Sequence, residues 1–274
     1  MIKETEYRLG TWICHDPLYD RMGIRIWQTQ DPAWLVKENV GGRKNEIEVE
    51  IDFIGRSGPR VRNMVTVPAD PIARSGLNWY AMRAYTGSVF ANGAYARTHW
   101  RVLAEHVLNF LEDLHRDHGL VHLDLTQSNV FVDTSACQFV VGDYELLSKP
   151  EMDALHHAED DYLWYFVEHG ADLDEPNIAW RMDFVMLGYM LARLTWNSQE
   201  NSSDWAFARE CERRRKGRGK YETDADVIAE RDSTLVRAHP TVVSYLDRVA
   251  NLVPWCQVEA PAAEVYSELR ALFL

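Results

Sequence analysis

The stretch from Trp100 to Asp143 constrains this chain more than any other. It opens on an amphipathic helix, Trp100 to Asp117, with Leu103, Val107, Phe110, Leu111 and Leu114 on one side. Gly119 follows, a residue that helix C-termini prefer. A short polar run then carries His122, Asp124 and Asn129. Val130 to Val132 and Phe139 to Val141 read as two short apolar strands, and Asp143 stands just after the second. Nineteen positions separate Asp124 from Asp143, room for one hairpin that returns both acids to the same place. Taken singly, Asp124 and Asn129 would pass for caps of ordinary loops. Helix, polar run, hairpin and acid in this order form a much more specific pattern.

That order resembles the catalytic core of eukaryotic-like protein kinases. The family pattern H-R-D-L-x-x-x-N is matched by His122-Leu123-Asp124-Leu125-Thr126-Gln127-Ser128-Asn129. The resemblance implies an α+β, two-lobed protein kinase-like fold. A small β-rich lobe with one helix would span residues 1–84, and a larger, mainly helical lobe residues 85–274. It also implies transfer of the γ-phosphoryl group of ATP, with Mg2+, to a hydroxyl, here of Ser or Thr on a protein. Asp124 would orient the acceptor, and Asn129 and Asp143 would hold the metal.

Trp34-Leu35-Val36-Lys37 resembles the strand whose lysine binds the α- and β-phosphates. Lys37 should pair with a glutamate of the next helix, and Glu46, Glu48 and Glu50 are the candidates. Glu50 is favoured, because Phe53 and Ile54 then fall at i+3 and i+4, where the family carries core residues. Leu77 to Ser88 resembles the strand and hinge between the lobes. Met82 would lie behind the adenine, and the backbone of Arg83 and Tyr85 would hydrogen-bond its edge. Asp183-Phe184-Val185-Met186-Leu187-Gly188 resembles the helix whose aspartate braces the catalytic loop, a feature of protein kinases more than of their small-molecule relatives. Pro261 to Val265 resembles the start of the last kinase helix.

Four departures from the family narrow the expectation. The glycine-rich loop is missing: Leu9-Gly10-Thr11-Trp12 begins like it, but His15-Asp16-Pro17-Leu18-Tyr19-Asp20 follows. Fewer glycines bring fewer backbone N–H groups close to phosphate. Leu123 replaces the arginine that receives a phosphorylated activation loop, so phosphorylation between residues 146 and 176 is not expected to switch activity. Glu145 stands where the family has Gly, and Thr126 where it has Lys. Asp143-Tyr144-Glu145 is similar to the Asp-Trp-Glu or Asp-Phe-Glu of aminoglycoside and choline kinases. The Ala-Pro-Glu that closes the activation segment has only Asp174-Glu175-Pro176 near it, and its partner arginine is also missing. A small-molecule kinase and a pseudokinase acting as a binding module are therefore the rival readings.

The remaining chain fits one kinase-like domain. Tyr7 to Cys14, Gly23 to Thr29 and Ala33 to Lys37 read as strands, with His15-Asp16-Pro17 as a break. Asn45 to Ile54 reads as a helix, with Ile47, Ile51 and Ile54 on one face, and Val61 to Val67 and Leu77 to Met82 as strands. Further helices are expected over Asp183 to Leu194, Trp205 to Arg215, Pro240 to Leu252 and Ala262 to Phe273. The net charge of −13 over 274 residues disfavours nucleic acid and anionic membranes as partners. A protein substrate or a regulatory protein is the expected partner, and the basic run Arg213 to Lys220 is either a solvated loop or a dock for an acidic protein. His156-His157 reads as surface histidine rather than a metal site. Cys14, Cys137, Cys211 and Cys256 are too scattered for a zinc or disulfide framework. Met1 to Glu6 lacks an apolar leader, and no run is long enough to span a bilayer, so a cytoplasmic protein is expected.

Overall fold

The computed structural model describes residues 7–21, 23–41, 44–57, 60–150, 178–195, 238–250 and 261–274. The expectations for Met1 to Glu6, His156-His157, Asp174-Glu175-Pro176, Trp205 to Arg215 and Arg213 to Lys220 lie outside these residues, as do Cys211 and Cys256. Cys14 and Cys137 are free thiols.

Five antiparallel strands form the first sheet: β1 (Tyr7–Leu9), β2 (Trp12–Arg21), β3 (Ile24–Thr29), β4 (Trp34–Asn39) and β5 (Trp79–Arg83), in that order. Alternation sorts their side chains to two faces. Trp27, Val36, Trp79 and Ala81 join Leu9, Trp12 and Cys14 in one apolar cluster. Ile26, Leu35, Tyr80 and Met82 face the main core instead. Lys37 belongs to this second face, which is covered by helix α1 (Lys44–Ser57) through Phe53 and Ile54.

Two expectations for this half need correction. His15-Asp16-Pro17 does not break the chain into separate strands. It lies within β2, where the pairing with β3 shifts register between Cys14 and Pro17 and again between Pro17 and Tyr19. A bulge absorbs a residue that has no N–H to give the ladder. Val61 to Val67 is not a strand. Asn63 adopts positive φ, and the segment instead ties the two halves together. Val65 N–H donates to the Val141 carbonyl at 3.0 Å, and the Thr66 carbonyl accepts from Arg83 N–H at 2.8 Å.

Beyond Arg83 the chain leaves the first sheet. Ala84 N–H still donates to Ala33 at 2.7 Å, whereas Thr86 N–H already donates to Val132 at 2.9 Å. A second sheet follows, ordered β6 (Gly87–Ser88), β7 (Val130–Asp133) and β8 (Gln138–Val141). Short α2 (Pro71–Arg74) precedes β5, and α3 (Gly93–Thr98) precedes the long α4 (Trp100–His118). Gly119, at φ 64°, ends α4 in the left-handed conformation, and its N–H reaches the His115 carbonyl.

Helices α5 (Ile178–Thr195) and α7 (Ala263–Ala271) pack against α4, and α6 (Pro240–Ala250) packs against α5. Gly188 allows the close approach of α5 and α6: a Cβ there would lie 2.3 Å from Leu246 Cδ2. Among the described residues, no helix is long and apolar enough to cross a membrane.

Candidate active site

The centre of the site is Lys37, buried midway along β4. Its ammonium lies 2.9 Å from Glu50 Oε2, 2.7 Å from Asp143 Oδ1 and 2.9 Å from Glu145 Oε1. The glutamate of α1 that reaches Lys37 is thus Glu50, while Glu48 is exposed to solvent. Sequence reasoning missed two neighbours. Tyr80, directly opposite Lys37 on β5, donates its hydroxyl to Glu50 Oε1 at 3.3 Å. Glu145, which from sequence could equally add to a metal site or cap a turn, contacts the ammonium directly.

Three carboxylates share one ammonium, so full ionisation would leave two uncompensated charges in a half-buried cluster. Burial pushes Glu50 up to about 7, against the opposing pull of Lys37. Burial alone would depress Lys37. The surrounding groups, Glu50 foremost, instead hold it well above the usual lysine value. The sign for stability follows by linkage. An unfolded Glu50 titrates near 4.5, so between there and about 7 the folded chain holds the extra proton. This contribution is fully present below that window and is lost as pH rises through it, a fall on the order of 3 kcal/mol. Urea unfolding at about pH 5 and about pH 7.5 should show Glu50→Gln with a flatter pH dependence than the parent. Parallel curves would refute the assignment.

Asp143 sits at φ 60°, a conformation uncommon outside glycine. The neighbouring Tyr144 holds it there. Its buried ring contacts Phe53, Phe110 and His122. Its hydroxyl donates to the Val141 carbonyl and accepts from Val65 N–H at 3.2 Å, and its backbone N–H donates to Glu50 Oε1 at 2.7 Å. The same glutamate therefore positions both Lys37 and the residue that follows Asp143.

The polar loop is fixed from beneath. Asp183 of α5 is fully buried and accepts from His122 N–H and Leu123 N–H, each at 2.8 Å. Leu123 is at φ 61° with its side chain in the core, which accounts physically for an apolar residue where the family has arginine. His122 Nδ1 accepts from Asp124 N–H at 3.2 Å, leaving the proton on Nε2 to donate to the Gly142 carbonyl at 3.2 Å. Asn129 Nδ2 donates to Asp124 Oδ2 at 2.7 Å, and the Asn129 carbonyl accepts from Gly142 N–H at 2.9 Å. Asp124, Asn129 and Asp143 are thus joined through the backbone at Gly142.

His115 and Tyr266 were not singled out in the sequence. His115 Nε2 donates to Asp183 at 2.9 Å, and its Nδ1 faces the Tyr266 hydroxyl at 2.6 Å. Burial holds this imidazole below its usual pKa, with Asp183 pulling the other way. A neutral ring fits both contacts, with Tyr266 donating to Nδ1. The available signal was a histidine on the apolar side of α4.

Two expectations about the nucleotide end are altered. The turn at the Lys37 end of the sheet is not Gly10-Thr11. It is the β2–β3 connection, since Arg21 pairs with Ile24, Ile24 with Asn39 and Ile26 with Lys37. Val40 N–H caps this turn on the Gly23 carbonyl at 2.8 Å. Arg83 N–H is committed to Thr66, and the Arg83 side chain pairs with Asp133 at 2.8 Å. Between Arg83 and Thr86, Tyr85 alone has a backbone N–H without a backbone partner among the described residues. Met82 is buried on the same face as Lys37.

The donor set suits the expected groups. Asn129, Asp143 and Glu145 offer hard oxygen ligands of the kind Mg2+ takes, and an ammonium in their midst suits phosphate.

No family model matches the sequence, and none of the curated proteins does. Among solved structures, the chain is similar to one described as vaccinia related kinase 3, with a TM-score of 0.58 at 15% identity. The match covers 96% of this chain and 85% of that one. Likeness at this identity shows the fold: a two-lobed, α+β, kinase-like architecture with a curled antiparallel sheet before a helical region.

Proposed function

We propose that this kinase-like chain is an ATP- and Mg2+-dependent phosphotransferase, an atypical protein kinase acting on Ser or Thr hydroxyls. The convergence of Lys37, Glu50, Asp124, Asn129 and Asp143 from separate elements carries the proposal. Those are the groups that phosphoryl transfer calls for: a proton acceptor beside the attacking hydroxyl, oxygen ligands for a cation, and a cation for the phosphates.

In this mechanism Tyr85 N–H and the Arg83 carbonyl hold the adenine edge, with Met82 behind it, and Lys37 binds phosphate oxygens. Asn129 Oδ1 and the Asp143 carboxylate would hold Mg2+, which supplies charge neutralisation to the phosphates. Asp124 orients the acceptor hydroxyl and takes its proton as the oxygen bonds to the γ-phosphorus and the bond to the leaving ADP oxygen breaks. The Asp183 brace under the loop supports a protein acceptor over a small alcohol.

The test is a panel of proteins and small alcohols incubated with labelled ATP and Mg2+. Label on protein Ser or Thr is the expected result. Label on a small alcohol alone would replace the acceptor class.

The missing glycine-rich pattern ahead of β4 favours a second reading, a nucleotide-free binding module. A Mg2+-ATP thermal shift is expected on the first reading, and its absence together with absent transfer would select the second.

A further inference from the structure

We propose that Glu145 is a tethered occupant of the phosphate position on Lys37, so that a divalent cation must bind before nucleotide can, a step that rests on the phosphotransferase reading. An ammonium has three N–H donors. Lys37 Nζ donates to Asp143 at 2.7 Å and to Glu145 at 2.9 Å, and Glu50 Oε2 lies 2.9 Å away. Two donors are thus taken by Asp143 and Glu145, while Glu50 Oε2 closes the buried side of the ammonium as an ion pair without hydrogen-bonding to it. A phosphate oxygen gains Nζ only where one of them gives way.

The three are not equally able to leave. Glu50 is fully buried and also accepts from Tyr144 N–H and the Tyr80 hydroxyl. Asp143 is carried on backbone fixed by the buried Tyr144 ring. Asp143 and Glu145 keep 34% and 27% of their side chains exposed and both bond Lys37, but Glu145 has the longer side chain and can swing its carboxylate away without moving the backbone. Glu145 is therefore the group that phosphate displaces.

Simple displacement would leave the Glu145 carboxylate beside an incoming polyanion. A divalent cation removes that conflict. Oxygens of Glu50, Asp143 and Glu145 all lie within 4.8 Å of one another, and the two accessible ones, on Asp143 and Glu145, are close enough for one oxygen-ligated ion to bridge. A Glu145 drawn onto that ion releases Lys37 and changes from competitor to ligand.

Isothermal titration of ATP into the full chain tests this, for the parent, Glu145→Gln and Lys37→Met, each in Mg2+ and in chelator. The parent should bind in Mg2+ and only weakly in chelator. Glu145→Gln keeps the shape and loses the charge, and should bind ATP in chelator about tenfold more tightly than the parent. The same variant should need more Mg2+ to reach half-maximal ATP binding. Lys37→Met should lose binding in both conditions. Glu145→Ala, checked by its melting curve, guards against an effect peculiar to glutamine. If both Glu145 variants match the parent in chelator while the parent binds in Mg2+, this inference alone falls. If no protein binds ATP in either condition, the phosphotransferase reading falls with it.

Discussion

Asp124→Asn should reduce phosphoryl transfer by about 10²–10⁴-fold while leaving the fold and Mg2+-ATP binding in place. The substitution keeps the size of the side chain and an oxygen able to accept from Asn129 Nδ2, now 2.7 Å from Asp124 Oδ2. It removes the one property the mechanism needs there, a basic oxygen to take the acceptor proton. Binding and chemistry therefore separate: the nucleotide-dependent thermal shift should persist as turnover disappears. Turnover within a few-fold of the parent would show that Asp124 is not the proton acceptor.

Asp183→Ala should destabilise the chain by roughly 3–5 kcal/mol, a melting shift of about 10 °C or more. Asp183 is fully buried and accepts from His122 N–H, Leu123 N–H and His115 Nε2 at 2.8, 2.8 and 2.9 Å. Truncation strands three buried donors, each costing about 1–3 kcal/mol less whatever water recovers. It also frees Leu123, whose φ of 61° is a conformation that a leucine leaves when unsupported. Urea unfolding measures the loss, and activity should fall with it because Asp124 is the next residue along. A stability within about 1 kcal/mol of the parent would show that the loop is held by something other than Asp183.

The sequence made some of this legible and hid the rest for physical reasons. The α4–loop–hairpin run could be read because each part announces itself locally: an apolar stripe, a terminal glycine, two short apolar strands. Glu50 could be chosen over Glu46 and Glu48 because the residues after it have to face the core. The β2–β3 turn was misplaced because Pro17 normally ends a strand, and only the pairing with β3 reveals a bulge. Val61 to Val67 has the composition of a strand, yet its backbone partners are divided between two sheets. The contacts Tyr80–Glu50, Glu145–Lys37 and His115–Tyr266 join distant parts of the chain, and no local pattern encodes them. Where the residues lie is a matter of geometry.

The His115–Tyr266 contact has a consequence for the order of biosynthesis. These residues are 151 positions apart in the chain. The loop they help to hold is translated early, but its last support emerges only when α7 does, roughly 10–30 s later at ordinary elongation rates. Until then Asp183 and the loop backbone lack part of their anchoring. A ribosome-bound chain that ends before Tyr266 should carry every residue of the reactive centre and still leave it unset.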